Sequence, residues 1–245
     1  MSKKNNYTTL ELLPEYADLE EFMVSIPELF RKERGTLIYK GRNTLRKFDY
    51  RGISLMVKSY HRPRLINRFV YGILRPSKAM RAFKNAQLLL HLGIGTPHPI
   101  GYINVRRLGL FDQSYLVTKT STCTHNYGQI MKTPNEFDDV LQALGRDTAR
   151  LHEYGYWHKD YGRGNILFER NDEGEVHIEL VDLNRMGHGV VNIQDGCKNF
   201  ERLPATPHMH RVLAEAYAKE RNFDSNECYR LMVEARQLER HSEAF

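Results

Sequence analysis

Acid is what the first half of this sequence lacks. Between Arg51 and Phe111 there is no Asp or Glu against eleven Lys and Arg, and residues 31–111 carry eighteen bases against Glu33 and Asp49 alone. The whole 245-residue chain has a net charge of only +6, so the remainder is acidic. An asymmetry on this scale points to an anionic partner, whether nucleic acid, phosphates or an acidic membrane surface; the competing reading is a solvated basic face. Cysteine is scarce. Cys123, Cys197 and Cys228 are odd in number, far apart and without a Cys-x-x-Cys pair, which argues against a disulfide framework or a zinc site and for a reduced chain. Runs of 18 uncharged apolar residues are absent, so no membrane-spanning helix is expected. The lysines near the start have no apolar core behind them, so a cytoplasmic chain is expected rather than an exported one. Heptads, low-complexity tracts and internal repeats are missing too, as are RNP-type, helix-turn-helix and zinc-finger signatures, which removes nucleic acid from the expected partners. What is present, 41% hydrophobic and 11% aromatic residues, suffices for one large domain or two small ones.

Along the chain, residues 1–34 read as an N-terminal helical extension. Leu19, Phe22, Met23, Ile26, Leu29 and Phe30 fall at helical spacing, with Pro27 dividing two short helices and Gly35 ending the second. Residues 35–120 read as a small α+β lobe of five strands and one packed helix. Its strands include 36–41, 44–50, 53–60 and 114–120, with Arg51-Gly52 as a hairpin turn. The helix spans 77–92, with Ala79, Phe83, Ala86 and Leu90 on one face. Before it lies a basic stretch, 62–75. There Arg62, Arg64, Arg68 and Arg75 flank an apolar stripe that either lies on an anionic membrane or packs on the lobe. Residues 121–245 read as a mainly helical lobe. A long helix capped by Asn135 precedes a hairpin of strands 165–169 and 176–183, and the chain is helical after 197.

The chemistry concentrates in WHKDYGRGNILFERNDEGEVHIELVDLNR, at the junction of the long helix and the hairpin. His158-x-Asp160 is followed by Asn165 five residues after the acid, and Asp182 ends an apolar strand. Phosphoryl transfer from ATP needs such a set: a carboxylate to orient and deprotonate the acceptor hydroxyl, and oxygen ligands for Mg2+ on the phosphates. It also needs a lysine from a separate strand, a position Lys58 occupies in LMVKSY.

With IYKGRNTLRKF, VKSYHRP, GIGTPHPI, VDLNRM and KNFERL, these residues make the chain resemble the lipopolysaccharide core kinases that phosphorylate heptose or Kdo, within the protein-kinase-like superfamily. The resemblance covers about residues 35–215. It implies a two-lobed fold that binds ATP, with Thr118–Cys123 near the hinge. Asp160 becomes the base, Asn165 and Asp182 the magnesium ligands and Lys58 the phosphate clamp, while His158 orients the loop.

The departures are specific. No G-x-G-x-x-G joins the first two strands of the lobe; Arg42, Asn43 and Thr44 occupy that turn as the candidate phosphate cradle. Asp182-Leu183-Asn184 stands where D-F-G is usual. Helix 77–92 has no acid to pair with Lys58, and Ala82 falls at the expected place, which keeps a pseudokinase open as an alternative. Arg163, between two glycines, either reaches the γ-phosphate or stays in solvent. His91, His98, His125 and His208 lack ligand spacing. Only about fifteen residues separate Asp182 from KNFERL and no A-P-E follows, so a platform for a peptide acceptor is not expected. A monomeric kinase acting on a sugar hydroxyl of an anionic glycolipid, at the inner face of a membrane, fits better. A soluble aminoglycoside- or choline-type phosphotransferase is the other enzymatic alternative, but it leaves the basic lobe unexplained.

Overall fold

The structure, a computed structural model, describes residues 7–61, 76–107 and 110–242. The basic stretch 62–75 and its arginines lie outside the described residues. The chain divides into two compact units, Met1–Leu88 with Pro97–Thr120, and Leu89–Thr96 with Ser121–Phe245.

The first unit is built on a six-stranded antiparallel sheet. In chain order the strands are β1 (Tyr7–Leu12), β2 (Thr36–Lys40), β3 (Thr44–Tyr50), β4 (Ile53–Tyr60), β5 (Pro99–Arg107) and β6 (Leu110–Lys119), and their spatial order is β1-β5-β6-β4-β3-β2. β3 and β4 join through Arg51 and Gly52, whose φ values of 49° and 76° make the two-residue primed turn that matches strand twist. Helix α1 (Glu20–Arg31) covers one face of the sheet, burying Phe22, Met23 and Ile26 against Leu55, Val57, Ile103, Tyr115 and Val117. Each such side chain, fully buried, contributes about 1.5–3 kcal/mol. Helix α2 (Lys78–His91) buries Ala79, Ala82 and Phe83 against Tyr60 and Tyr102.

Two expectations are corrected here. Residues 7–12 are a strand rather than part of a helical extension, because the open edge of β5 pairs their backbone, and the sheet therefore has six strands rather than five. Pro27 does not divide α1: the buried stripe Phe22-Met23-Ile26 holds one continuous helix through it. The carbonyls of Glu33, Arg34 and Gly35, just past the end of α1, receive Nη1 of Arg46 at 2.7, 3.2 and 3.0 Å. Buried Arg46 is thus spent on the fold, placing its charge where the helix dipole favours a cation.

The second unit carries the helical layer. After a two-residue strand β7 (His125–Asn126) and one helical turn α3 (Tyr127–Ile130), helix α4 (Asp138–Glu153) presents Val140, Leu141, Leu144, Thr148 and Leu151 to the core. Its N-cap is Phe137, with no side-chain bond, rather than Asn135. Strands β8 (Tyr156–His158) and β11 (Met186–His188) pair with each other, and β9 (Ile166–Arg170) lies between β10 (Val176–Leu180) and β7. Helices α5 (Ile193–Lys198), α6 (Pro207–Arg221) and α7 (Ser225–Ser242) follow, so the described region after 197 is helical except at 199–206 and 222–224.

The GIGTPHPI segment owes its second glycine to crowding. A Cβ on Gly95 would lie 1.9 Å from the Ile178 carbonyl oxygen of β10, while the Gly95 carbonyl accepts Leu180 N–H at 2.8 Å. Gly95→Ala should therefore cost about 1–3 kcal/mol and lower the thermal midpoint by several degrees. Gly162→Ala, where no atom of the described residues beyond its chain neighbours comes within 4 Å of a built Cβ, should leave it unchanged. Thermal unfolding of both variants decides this; equal midpoints would contradict the packing argument.

Candidate functional site

His158 is fully buried at the end of β8, and both of its ring nitrogens are engaged. Nδ1 accepts the Asp160 N–H at 3.0 Å, so Nε2 must carry the proton it gives to the Val181 carbonyl at 3.0 Å. One imidazole thus ties the segment of the first acid to the segment of the second. Asn165 reinforces the same geometry: Nδ2 donates to the Asp160 carbonyl at 2.8 Å, and its own carbonyl accepts Val181 N–H at 3.0 Å. The spacing read from the sequence therefore brings Asp160, Asn165 and Asp182 onto one hydrogen-bonded frame.

Asp182 has φ +62°, a left-handed conformation that Asp tolerates better than most side chains. Asn184, buried where a glycine is usual, donates through Nδ2 to Asp182 Oδ1. The departure Asp-Leu-Asn thus replaces glycine's freedom with a bond that holds the carboxylate. Asn165 spends Nδ2 on the backbone, so Oδ1 is the atom it could offer a cation, beside the carboxylate oxygens of Asp182. Hard oxygen donors of this kind fit Mg2+. Arg163 is exposed, with Cδ 3.8 Å from where a Cβ on Gly128 of α3 would lie.

Sequence reasoning missed the partners of this frame. Arg202 donates from Nη1 to Asp160 Oδ1 at 2.7 Å, and its Nε lies 3.3 Å from Glu239 of α7. Asn199 donates to the His158 carbonyl at 2.9 Å and accepts from His152 Nε2 at 3.1 Å, while His152 Nδ1 accepts from the Tyr217 hydroxyl at 2.9 Å. Asn199 and Arg202 both lie in KNFERL, a segment noticeable in the sequence but about forty residues from the loop it serves.

In the first unit, Lys58 sits on β4 opposite Leu45 and Leu116, with Nζ 5.3 Å from the Tyr60 ring centroid. Arg42 is exposed in the β2–β3 turn. Asn43 Oδ1 accepts His61 N–H at 3.1 Å, and Thr44 pairs with Ser59 and Lys40. Ala82 is buried in the apolar cluster with Tyr60 and Tyr102. An ion pair between this helix and the sheet has the opposite polarity: Lys84 of α2 pairs with Glu11 of β1, which also accepts from the Tyr102 hydroxyl at 3.0 Å.

Burial pushes the His152 imidazole down from its ordinary 6.5 to about 4, against the hydrogen bond to Asn199 and with help from the Arg221 charge. The folded state holds it neutral. Its contribution is complete above pH 6.5 and is lost as pH falls toward 4, at a cost of about 3 kcal/mol. Denaturant unfolding at pH 7 and pH 5 should show a larger loss for the wild type than for His152→Gln; equal losses would contradict the neutral relay.

Comparison with known proteins adds a family to this geometry. Residues 30–222 match the family model of the lipopolysaccharide kinase (Kdo/WaaP) family. The 3-deoxy-D-manno-octulosonic acid kinase of Vibrio vulnificus strain YJ016 is 24% identical over 192 residues, covering 76% of this chain and 78% of that protein. The kinase of the same name from strain CMCP6 is 24% identical over 190 residues, covering 75% and 77%. Among solved structures, WaaP in complex with acyl carrier protein aligns with 97% of this chain and 99% of its own at a TM-score of 0.65 and 15% identity, a likeness of fold. The family match spans more than three quarters of the sequence and contains the whole frame around His158: the chain belongs to the lipopolysaccharide kinase (Kdo/WaaP) family.

Proposed function

We propose that this chain transfers the γ-phosphoryl group of ATP to a sugar hydroxyl of the lipopolysaccharide core, with Asp160 as the base. The observation that supports this most is the His158 clasp, which fixes a candidate base and a candidate metal ligand through one ring. In the reaction the acceptor oxygen bonds the γ-phosphorus, the bond to the ADP oxygen breaks, and the acceptor proton passes to Asp160. Arg202 occupies Oδ1, which leaves Oδ2 to take that proton. Mg2+, when held by Asn165 and Asp182, neutralises charge on the phosphates. Lys58 is assigned the α- and β-phosphates, the Arg42-Asn43-Thr44 turn their outer oxygens, and Arg163 the γ-phosphate. Arg202 acts through Asp160, as a positioning residue.

The acceptor in this reading is an anionic glycolipid met at a membrane surface, since the eighteen bases of residues 31–111 would concentrate it there. Among the described residues no helix is long and apolar enough to cross a membrane. The names of the Vibrio relatives make a Kdo hydroxyl the first acceptor to test.

The full chain, incubated with Mg2+, ATP and a Kdo-bearing lipid, should yield ADP and an acceptor heavier by one phosphoryl group in equal amounts. Asp160→Asn should lower turnover about 10²- to 10⁴-fold without changing ATP affinity by calorimetry. An unmodified acceptor with the wild type, or a fully active Asp160→Asn variant, would overturn the assignment. Arg202→Ala should lower kcat about 10- to 100-fold with ATP affinity intact. Arg202→Lys should recover only part of it, because lysine lacks the guanidinium fork. Full recovery by lysine would reduce Arg202 to a nearby charge.

A further inference from the structure

The second unit contains a cluster that the phosphoryl-transfer reading does not use. Cys123, on the stretch leading to β7, and His177 and Glu179, both on β10, each offer a ligand atom, and these atoms lie within 4.8 Å of one another. Cys123 and Glu179 are buried, while His177 stands at the surface with more than half of its side chain exposed. Thiolate, imidazole and carboxylate are the three protein ligands that zinc takes, and three of them leave a fourth position for water. Nothing in the sequence spacing signalled this, because strand pairing brings the cysteine to residues more than fifty positions away.

We infer that Cys123, His177 and Glu179 form a binding site for one divalent cation of the zinc type. Ser121 supplies an independent sign that the ligands are prepared. Its hydroxyl accepts the Cys123 N–H at 2.9 Å and donates to Glu179 Oε2, so one small side chain orients two of the three ligands. Glu179 Oε1 lies 3.6 Å from His177 Nε2, a separation that a bridging ion would occupy in place of a direct contact. Burial, followed by the Glu179 charge, holds the Cys123 thiol up at about 12. A cation between the two reverses that preference: the thiol gives its proton to solvent as the sulfur–metal bond forms. The softness of this donor set selects against Mg2+, which is served by oxygen ligands alone. The ion would fasten the Ser121–Cys123 segment to β10, whose last residue, Leu180, precedes Asp182 by two positions.

The test is titration of the full chain with Co2+ in excess Mg2+, followed by absorption and by native mass spectrometry. One Co2+ per chain is expected, with a thiolate-to-cobalt band in the near ultraviolet that Zn2+ displaces. Cys123→Ser should remove the band. His177→Ala, at an exposed position where folding is not at risk, should weaken binding more than Ser121→Ala, for which about a 10- to 100-fold loss is expected. Absence of saturable binding, a band that survives Cys123→Ser and so arises at Cys197 or Cys228, or unchanged affinity in His177→Ala would each overturn the site.

Discussion

The structure depends on one buried imidazole. His158 is fully buried, so each ring nitrogen needs a partner, and only the tautomer protonated at Nε2 satisfies both the Asp160 N–H and the Val181 carbonyl. An unpaired buried group here would cost about 1–3 kcal/mol, and the same two bonds set the positions of Asp160 and Asp182. The surrounding contacts extend this constraint outward. Asn199 and His152 lead from the His158 carbonyl to Tyr217 of α6, and Arg202 leads from the Asp160 carboxylate to Glu239 of α7. The helical layer therefore does more than bury apolar surface: His152, Tyr217 and Glu239 support the two residues of the 199–206 segment that orient the loop.

In the first unit, charge is organised by the N-terminal segment. The long acid-free stretch still contains paired cations, because the acids come from residues before it. Glu11 reaches Lys84, and Asp18 lies 3.5 Å from Arg51. Both pairs are partly exposed, so each contributes at most about 1 kcal/mol; their value lies in geometry. The Glu11–Lys84 pair joins β1 to α2 on the sheet face whose cross-strand row runs from Glu11 through Tyr102 and Leu116 to Lys58. A helix without acid is thus attached to the sheet by its own lysine.

What could be read from the sequence was local. His158, Asp160 and Asn165 lie within one loop, so their offsets carry the geometry. Arg51-Gly52 announces a hairpin because both residues must take positive φ, and the stripe Val140-Leu141-Leu144-Leu151 announces α4. What could not be read was non-local. Residues 7–12 become a strand only because β5 offers an open edge, and Pro27 stays inside α1 only because the sheet holds its neighbours. Arg202, Asn199 and the Cys123–His177–Glu179 cluster are assembled by packing across forty or more residues, for which no spacing rule exists. Asn184 was visible as a departure from glycine, but its bond to the Asp182 carboxylate was not.

The central claim, that one imidazole positions both acids, is tested most directly by His158→Leu, which fills the volume and deletes both bonds. The measurement is kcat for phosphoryl transfer together with Mg2+-ATP affinity, on protein shown to be folded by its thermal transition. The account predicts a loss of kcat of at least about 100-fold and weaker Mg2+-ATP binding, because Asp160 and Asp182 lose their common support. A folded His158→Leu variant with wild-type kcat and wild-type nucleotide affinity would contradict it.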